Sequence, residues 1–160
     1  IGTYILLVAI VLGYYNYLVG ANRKYEIKTS RGNMYASKYY YNSFQELIKY
    51  IKTNTKQSDK IVVYPEGTFI NFLTDRESDN YYSSLIPLYF EIINEDKLIE
   101  HFKSTKPEYI IFNNLDMSKD YYFKNICNDY AFKFCKYVYE NYTQDELIDN
   151  GLRFLIFKKK

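Results

Sequence analysis

The sequence predicts an α/β domain: a three-layer, Rossmann-like, mostly parallel sheet with flanking helices, preceded by a hydrophobic transmembrane helix. Three observations lead there. The first twenty residues carry no charge. Ile61-Val62-Val63-Tyr64 and Tyr109-Ile110-Ile111-Phe112 are short, continuous runs of strand-forming apolar residues, the pattern of strands buried on both faces. Stretches with helical spacing alternate with them, which is the order of a sheet covered by helices. The expected division is 1–22 as the terminal transmembrane helix and 23–160 as one soluble α/β domain. A chain of 160 residues is long enough for one such core.

The elements follow in order. Tyr4 to Leu12 is a solid apolar run, Tyr14, Tyr15 and Tyr17 resemble an interfacial aromatic belt, and Asn22-Arg23-Lys24 end the apolar region. Twenty helical residues span ~30 Å, about the hydrocarbon thickness of a bilayer. The last transmembrane helix of a larger protein is the first reading; a single anchor or signal segment and a buried helix are the others. Tyr25 to Tyr35 reads as extended, with a turn at Arg31-Gly32-Asn33. Ser43 is expected to start a helix: Ser43 and Glu46 have capping-box spacing, and Phe44, Leu47, Ile48 and Ile51 fall at i, i+3, i+4, i+7. After the Ile61–Tyr64 strand, Pro65 and Gly67 make a turn and Thr68 caps a short helix. Glu77 to Ser84 is a polar loop, and Leu85 to Ile93, interrupted by Pro87, is extended or irregular. Asn94 or Asp96 caps a helix bearing Leu98, Ile99 and Phe102. A polar loop from Asn113 to Asp120 follows the second strand. A long helix is expected from about Tyr121 to Tyr142, and a turn at Asn150-Gly151 leads to a last strand, Leu152 to Phe157.

Composition narrows the function. Aromatic residues make up 20% of the chain, with 21 Tyr, 11 Phe and no Trp, so a single tyrosine carries little meaning. A net charge of +2 is too small for a nucleic-acid partner, which calls for a concentrated basic face. Cys127 and Cys135 are expected on one helix, eight residues or ~12 Å apart, beyond disulfide reach, and so read as core thiols. With one histidine, His101, His-rich metal sites and most Ser-His or Cys-His machinery are excluded. No metal and no cofactor is expected.

The loop beyond the carboxyl end of the first strand is the usual ligand position in an open α/β sheet. It supplies Glu66, Asn71 and Arg76, with Tyr82 nearby, as candidate ligand-binding residues. Arg76 has the fork to hold a phosphate or carboxylate, or can pair with a neighbouring acid. Glu66 lacks a partner carboxylate, and a turn role is open to it. Tyr39-Tyr40-Tyr41 and Tyr81-Tyr82 can serve as stacking platforms for sugars or lipid headgroups. Pro65-Glu66-Gly67-Thr68 is similar to a block of the glycerolipid acyltransferases. That chemistry needs a His and, four residues on, an Asp, both upstream of the block. Here His101 lies downstream, with Thr105 in place of the Asp. The match is coincidental.

The order of parts carries a wider resemblance. A terminal apolar helix and a Gly32-containing extended stretch precede a helix that ends before Asp59-Lys60-Ile61-Val62-Val63. Then come Pro65-Glu66, Asn71-Phe72-Leu73-Thr74-Asp75-Arg76, a Tyr81-to-Pro87 loop, Lys106-Pro107-Glu108-Tyr109-Ile110-Ile111 and a Tyr-rich helix. This resembles the carboxy-terminal end of polytopic bacterial glycosyltransferases related to the dolichyl-phosphate-mannose–protein mannosyltransferases and the aminoarabinose transferases. The resemblance implies a polyprenyl-phosphate-linked sugar donor, a glycan or protein acceptor, and an extracytoplasmic ancillary domain at the cell membrane. It brings no catalytic residue to this chain, because that family's catalytic acid lies in an early extracytoplasmic loop. The fragment is therefore expected to be inactive alone. The rival class is a non-enzymatic, membrane-anchored binding module of the cell envelope.

Overall fold

The computed structural model describes residues 2–21, 25–116, 118 and 125–160. Helix α1 (Gly2–Ala21) is followed by a hairpin of β1 (Tyr25–Thr29) and β2 (Gly32–Ala36), turning at Ser30-Arg31. Helix α2 (Lys38–Asn54), strand β3 (Ile61–Tyr64), helix α3 (Thr68–Thr74), a short α4 (Pro87–Phe90) and α5 (Glu95–Thr105) come next. Strand β4 (Tyr109–Asn113), helix α6 (Phe132–Asn141) and strands β5 (Tyr142–Asn150) and β6 (Leu152–Lys159) complete the described elements.

The main sheet has four strands in the order β3-β4-β6-β5. Only β3 and β4 pair parallel; β4 with β6 and β6 with β5 are antiparallel. The expectation of a three-layer, Rossmann-like, mostly parallel sheet is corrected here: the described residues form a small mixed α/β domain with two sheets, one of two strands and one of four. The cause is the short connection at Gly151. Strands that follow one another through so tight a turn form a hairpin, whereas a parallel pair needs a long crossover.

The first sheet pair does read as expected, with every residue of β3 and β4 buried. Alternation then splits the core. Ile61 and Val63 join Leu47, Ile51 and Ile70 on one face, with Ile111, Phe154 and Ile156. Val62 and Tyr64 join Leu98, Phe102, Phe134 and Val138 on the other, with Ile110, Phe112 and Phe157. The hairpin forms a third, smaller cluster on α2 and α3 through Ile27, Ala36, Ile48 and Leu73. Segment 77–85 runs beside the free edge of β3: Ile61 donates to the Glu77 carbonyl at 2.9 Å and Leu85 to that of Pro65 at 2.8 Å. A covered edge offers no template for another chain.

Several local expectations change. Among the described residues no helix is long and apolar enough to cross a membrane, which corrects the transmembrane assignment. The unbroken apolar run from Tyr4 to Leu12 rises only ~13 Å before Tyr14, Tyr15, Asn16 and Tyr17 add polar groups, short of the ~30 Å hydrocarbon core. The α1 side chains from Tyr4 to Leu18 are nevertheless exposed on all sides.

Helix α2 begins at Lys38, ahead of Ser43. The expected capping-box pair instead holds Asn150. Ser43 Oγ donates to its carbonyl at 2.7 Å, and Glu46 accepts from its side-chain amide at 2.6 Å. Gly67, not Thr68, occupies the cap position of α3, because a Cβ there would overlap the Val63 side chain. Pro87 opens a helical turn, the position where its missing N–H costs nothing. Asn94 caps α5 as expected, accepting from Asp96 and Lys97 N–H groups at 3.0 and 3.1 Å.

The long helix shortens to α6. Tyr121 to Lys124, where it was to begin, and most of the Asn113–Asp120 loop beyond Asp116 lie outside the described residues. Cys127 sits in a turn at φ 72°, ahead of α6, and Cys135 within it. Their Cα atoms are 5.5 Å apart and they form a disulfide. The ~12 Å expected for one continuous helix does not apply, because the chain turns between them. The expected end at about Tyr142 agrees with the end of α6 at Asn141; strand β5, which follows, was not expected.

Candidate functional site

The turn leaving β3 and the end of β4 are joined by one side chain. Asn113 donates through Nδ2 to the Glu66 carbonyl at 2.9 Å and accepts the Leu115 N–H at 3.1 Å. This fixes the two loops beyond the carboxyl ends of the parallel pair, where ligands bind in open sheets. The same end of the sheet holds the start of α2 and the start of β6. Between them lies a slot of about 280 Å³, lined by Tyr40, Phe44, Phe69, Leu152 and Phe154, with Glu66 and Asn113 as its polar residues. Phe44 is central. Its ring centroid lies 5.4 Å from that of Phe69, 5.8 Å from Phe154 and 6.1 Å from Tyr40.

The sequence explains the slot locally. Phe69 sits in the first turn of α3 on its outward side and stays 42% exposed, while Ile70 and Leu73 take the core. Tyr40 and Phe44 are one helical turn apart on α2 and share a face. Glu66 is exposed, and among the described residues its carboxylate has no hydrogen-bond or ion-pair partner.

The other expected site residues do not gather there. Asn71 and Arg76 line a larger, open hollow of about 990 Å³ between the hairpin tip, residues 57–58 and the end of α3. Arg76 does not reach into it as a free fork. Its Nε donates to Thr55 Oγ1 at 2.8 Å, one terminal nitrogen to the Thr55 carbonyl at 3.0 Å, and the other to the Thr74 and Asp75 carbonyls at 2.8 and 3.2 Å. Asn71 is buried and donates to the Ile61 and Glu77 carbonyls at 2.7 and 3.2 Å. Both tie backbone together. At the rim, Asp75 is shared between Arg31 and Gln57, each at 2.6 Å.

Tyr82 lies on the opposite face of the sheet. Its carbonyl accepts the Tyr64 hydroxyl at 2.7 Å, and its ring packs 5.4 Å from His101 and 4.8 Å from Tyr81. Burial, and after it the neighbouring Tyr81, raise its hydroxyl pKa above the ordinary tyrosine value. His101 Nε2 stands 3.0 Å from Asp79 Oδ2, inside ion-pair reach but not aligned as a hydrogen bond. The pair anchors the 77–84 segment to α5.

Glu66 is therefore the one expected residue in the aromatic slot. Tyr40, Phe44, Phe69 and Asn113 were missed as its partners. Tyr40 carried a signal in the Tyr39-Tyr40-Tyr41 run; Phe44 and Phe69 looked like ordinary core positions of amphipathic helices. Among the described residues no group of three His, Cys, Asp or Glu side chains is placed to hold a metal ion. No protein-family model matches the chain, and no curated protein sequence matches it.

Proposed function

We propose that this chain is the extracytoplasmic ancillary domain of a membrane glycosyltransferase that uses a polyprenyl-phosphate-linked sugar, with the catalytic residues elsewhere in the parent protein. The observation that carries the reading is the Cys127–Cys135 disulfide. Disulfides persist in oxidising compartments and are rare in the cytosol. The disulfide supports a domain held in an oxidising compartment, as an extracytoplasmic domain is. The aromatic slot then serves the acceptor: planar rings beside a free carboxylate suit a group that offers apolar faces and hydrogen-bond donors.

Membranes containing the parent protein test this directly, by following labelled sugar from its polyprenyl-phosphate donor to the acceptor. Phe69→Ala and Tyr40→Ala are each expected to lower transfer about tenfold, the loss of one aromatic contact. They should do so by raising the KM for acceptor and leaving that for donor unchanged. Unaltered transfer in both variants removes the slot from the reaction. A parent protein that transfers no polyprenyl-linked sugar removes the transferase reading altogether.

A further inference from the structure

The slot has a charge character that narrows its ligand. Four of its lining residues are aromatic: Tyr40, Phe44, Phe69 and Phe154. Aromatic faces are negative and attract cations. Among the described residues Glu66 is the only charged one in the lining, and no described Lys, Arg or His shares the wall. The Asn113 amide is already engaged with the Glu66 and Leu115 backbone. A phosphate or carboxylate would meet no free cation among the described residues and would face a like charge. A neutral sugar would bring no positive charge to the Glu66 carboxylate and none for the ring faces to attract.

An organic ammonium group needs what the slot offers: rings around its apolar substituents and one carboxylate as counter-ion. We propose that the slot binds an organic ammonium group, with Glu66 as its counter-ion and Tyr40, Phe44 and Phe69 as the cage. The volume of about 280 Å³ admits a trimethylammonium head or an amino-sugar ring. This assigns a ligand class to the site used in the functional reading above and rests on that reading for its location. It is read by binding instead of transfer, so either can fail alone.

The test is calorimetric titration of the full chain, in non-ionic detergent, with two cations and their uncharged counterparts. Choline is paired with 3,3-dimethyl-1-butanol, and glucosamine with N-acetylglucosamine. At least one cation is expected to bind about tenfold more tightly than its counterpart, with affinity falling as salt is raised. Glu66→Gln should abolish that preference without changing the unfolding temperature, since the carboxylate is exposed and unpaired. Phe69→Leu should weaken binding several-fold by removing a ring while keeping an apolar side chain. Preference for choline identifies a quaternary ammonium such as a lipid headgroup; preference for glucosamine identifies an amino sugar. Equal binding of charged and uncharged partners, no binding of either cation, or a Glu66→Gln variant that binds like wild type overturns the proposal.

Discussion

Arg76 acts on backbone: its guanidinium closes the end of α3 onto the end of α2 through Thr55, Thr74 and Asp75. Arg76→Ala leaves those half-buried carbonyls unpaired and should lower stability by about 1–3 kcal/mol, read from urea unfolding. Binding in the aromatic slot should not change. Asn71→Leu should cost a similar amount, since Asn71 links α3 to the start of β3 and to Glu77. Neither role was legible in the sequence. An Arg beside an Asp after a strand and helix has the chemistry of an anion clamp. Its actual partner, Thr55, is 21 positions away, at a helix end whose position is set by the fold. Glu66 was legible because a Pro-Glu-Gly turn after a buried strand presents its middle residue outward under many arrangements.

Strand β5 shows why the expected sheet failed. Tyr142-Thr143-Gln144-Asp145-Glu146-Leu147-Ile148 is polar and lacks strict alternation, so it carries no strand signal between the expected helix and the turn at Asn150-Gly151. In the structure the pairing with β6 shifts between Gln144 and Glu146. That bulge places Tyr142 in the core beside Phe157 and Ile148 in the opposite core beside Phe154. One extra residue reverses which face a strand presents. It also disrupts the exposed edge, which with its acidic residues discourages pairing with another chain. Deleting Asp145 should therefore destabilise the domain by more than about 2 kcal/mol, because Tyr142 and Ile148 cannot then both be buried. Thermal unfolding by circular dichroism checks this. By contrast β3, β4 and β6 were legible, because continuous apolar runs need only burial to be strands. The disulfide was not, because whether Cys127 and Cys135 approach depends on where α6 begins. Closing so short a loop contributes about 2–3 kcal/mol, so reduction should lower the unfolding temperature and loosen residues 125–131, visible as faster amide exchange there.

The whole molecule is defined by tyrosines inside a small core. Burial, then the Asp79 charge and Tyr82, raise the Tyr64 hydroxyl pKa well above the ordinary tyrosine value; burial and the neighbouring Tyr137 do the same for Tyr142. A pKa raised by folding contributes stability that is fully present below the unfolded value of about 10 and is lost as pH rises beyond it, where the unfolded chain ionises first. Stability should hold through neutral pH and fall above pH of about 10. Tyr64→Phe should cost about 1 kcal/mol at neutral pH, for the lost bond to the Tyr82 carbonyl, and make that alkaline fall shallower. The global class, helices packed against a central sheet, was legible from alternating patterns. Strand direction was not, since apolar runs carry no sign of parallel or antiparallel pairing.

The compartment of the domain is tested most directly by the state of its two cysteines in growing cells. Intact cells producing the full-length parent are treated with a thiol-alkylating reagent, the protein is denatured and digested, and the peptides are weighed. A peptide pair joined through Cys127 and Cys135, with neither alkylated, is the outcome expected of an extracytoplasmic ancillary domain. Two free, alkylated thiols would place the chain in a reducing compartment and remove the ground for the glycosyltransferase reading.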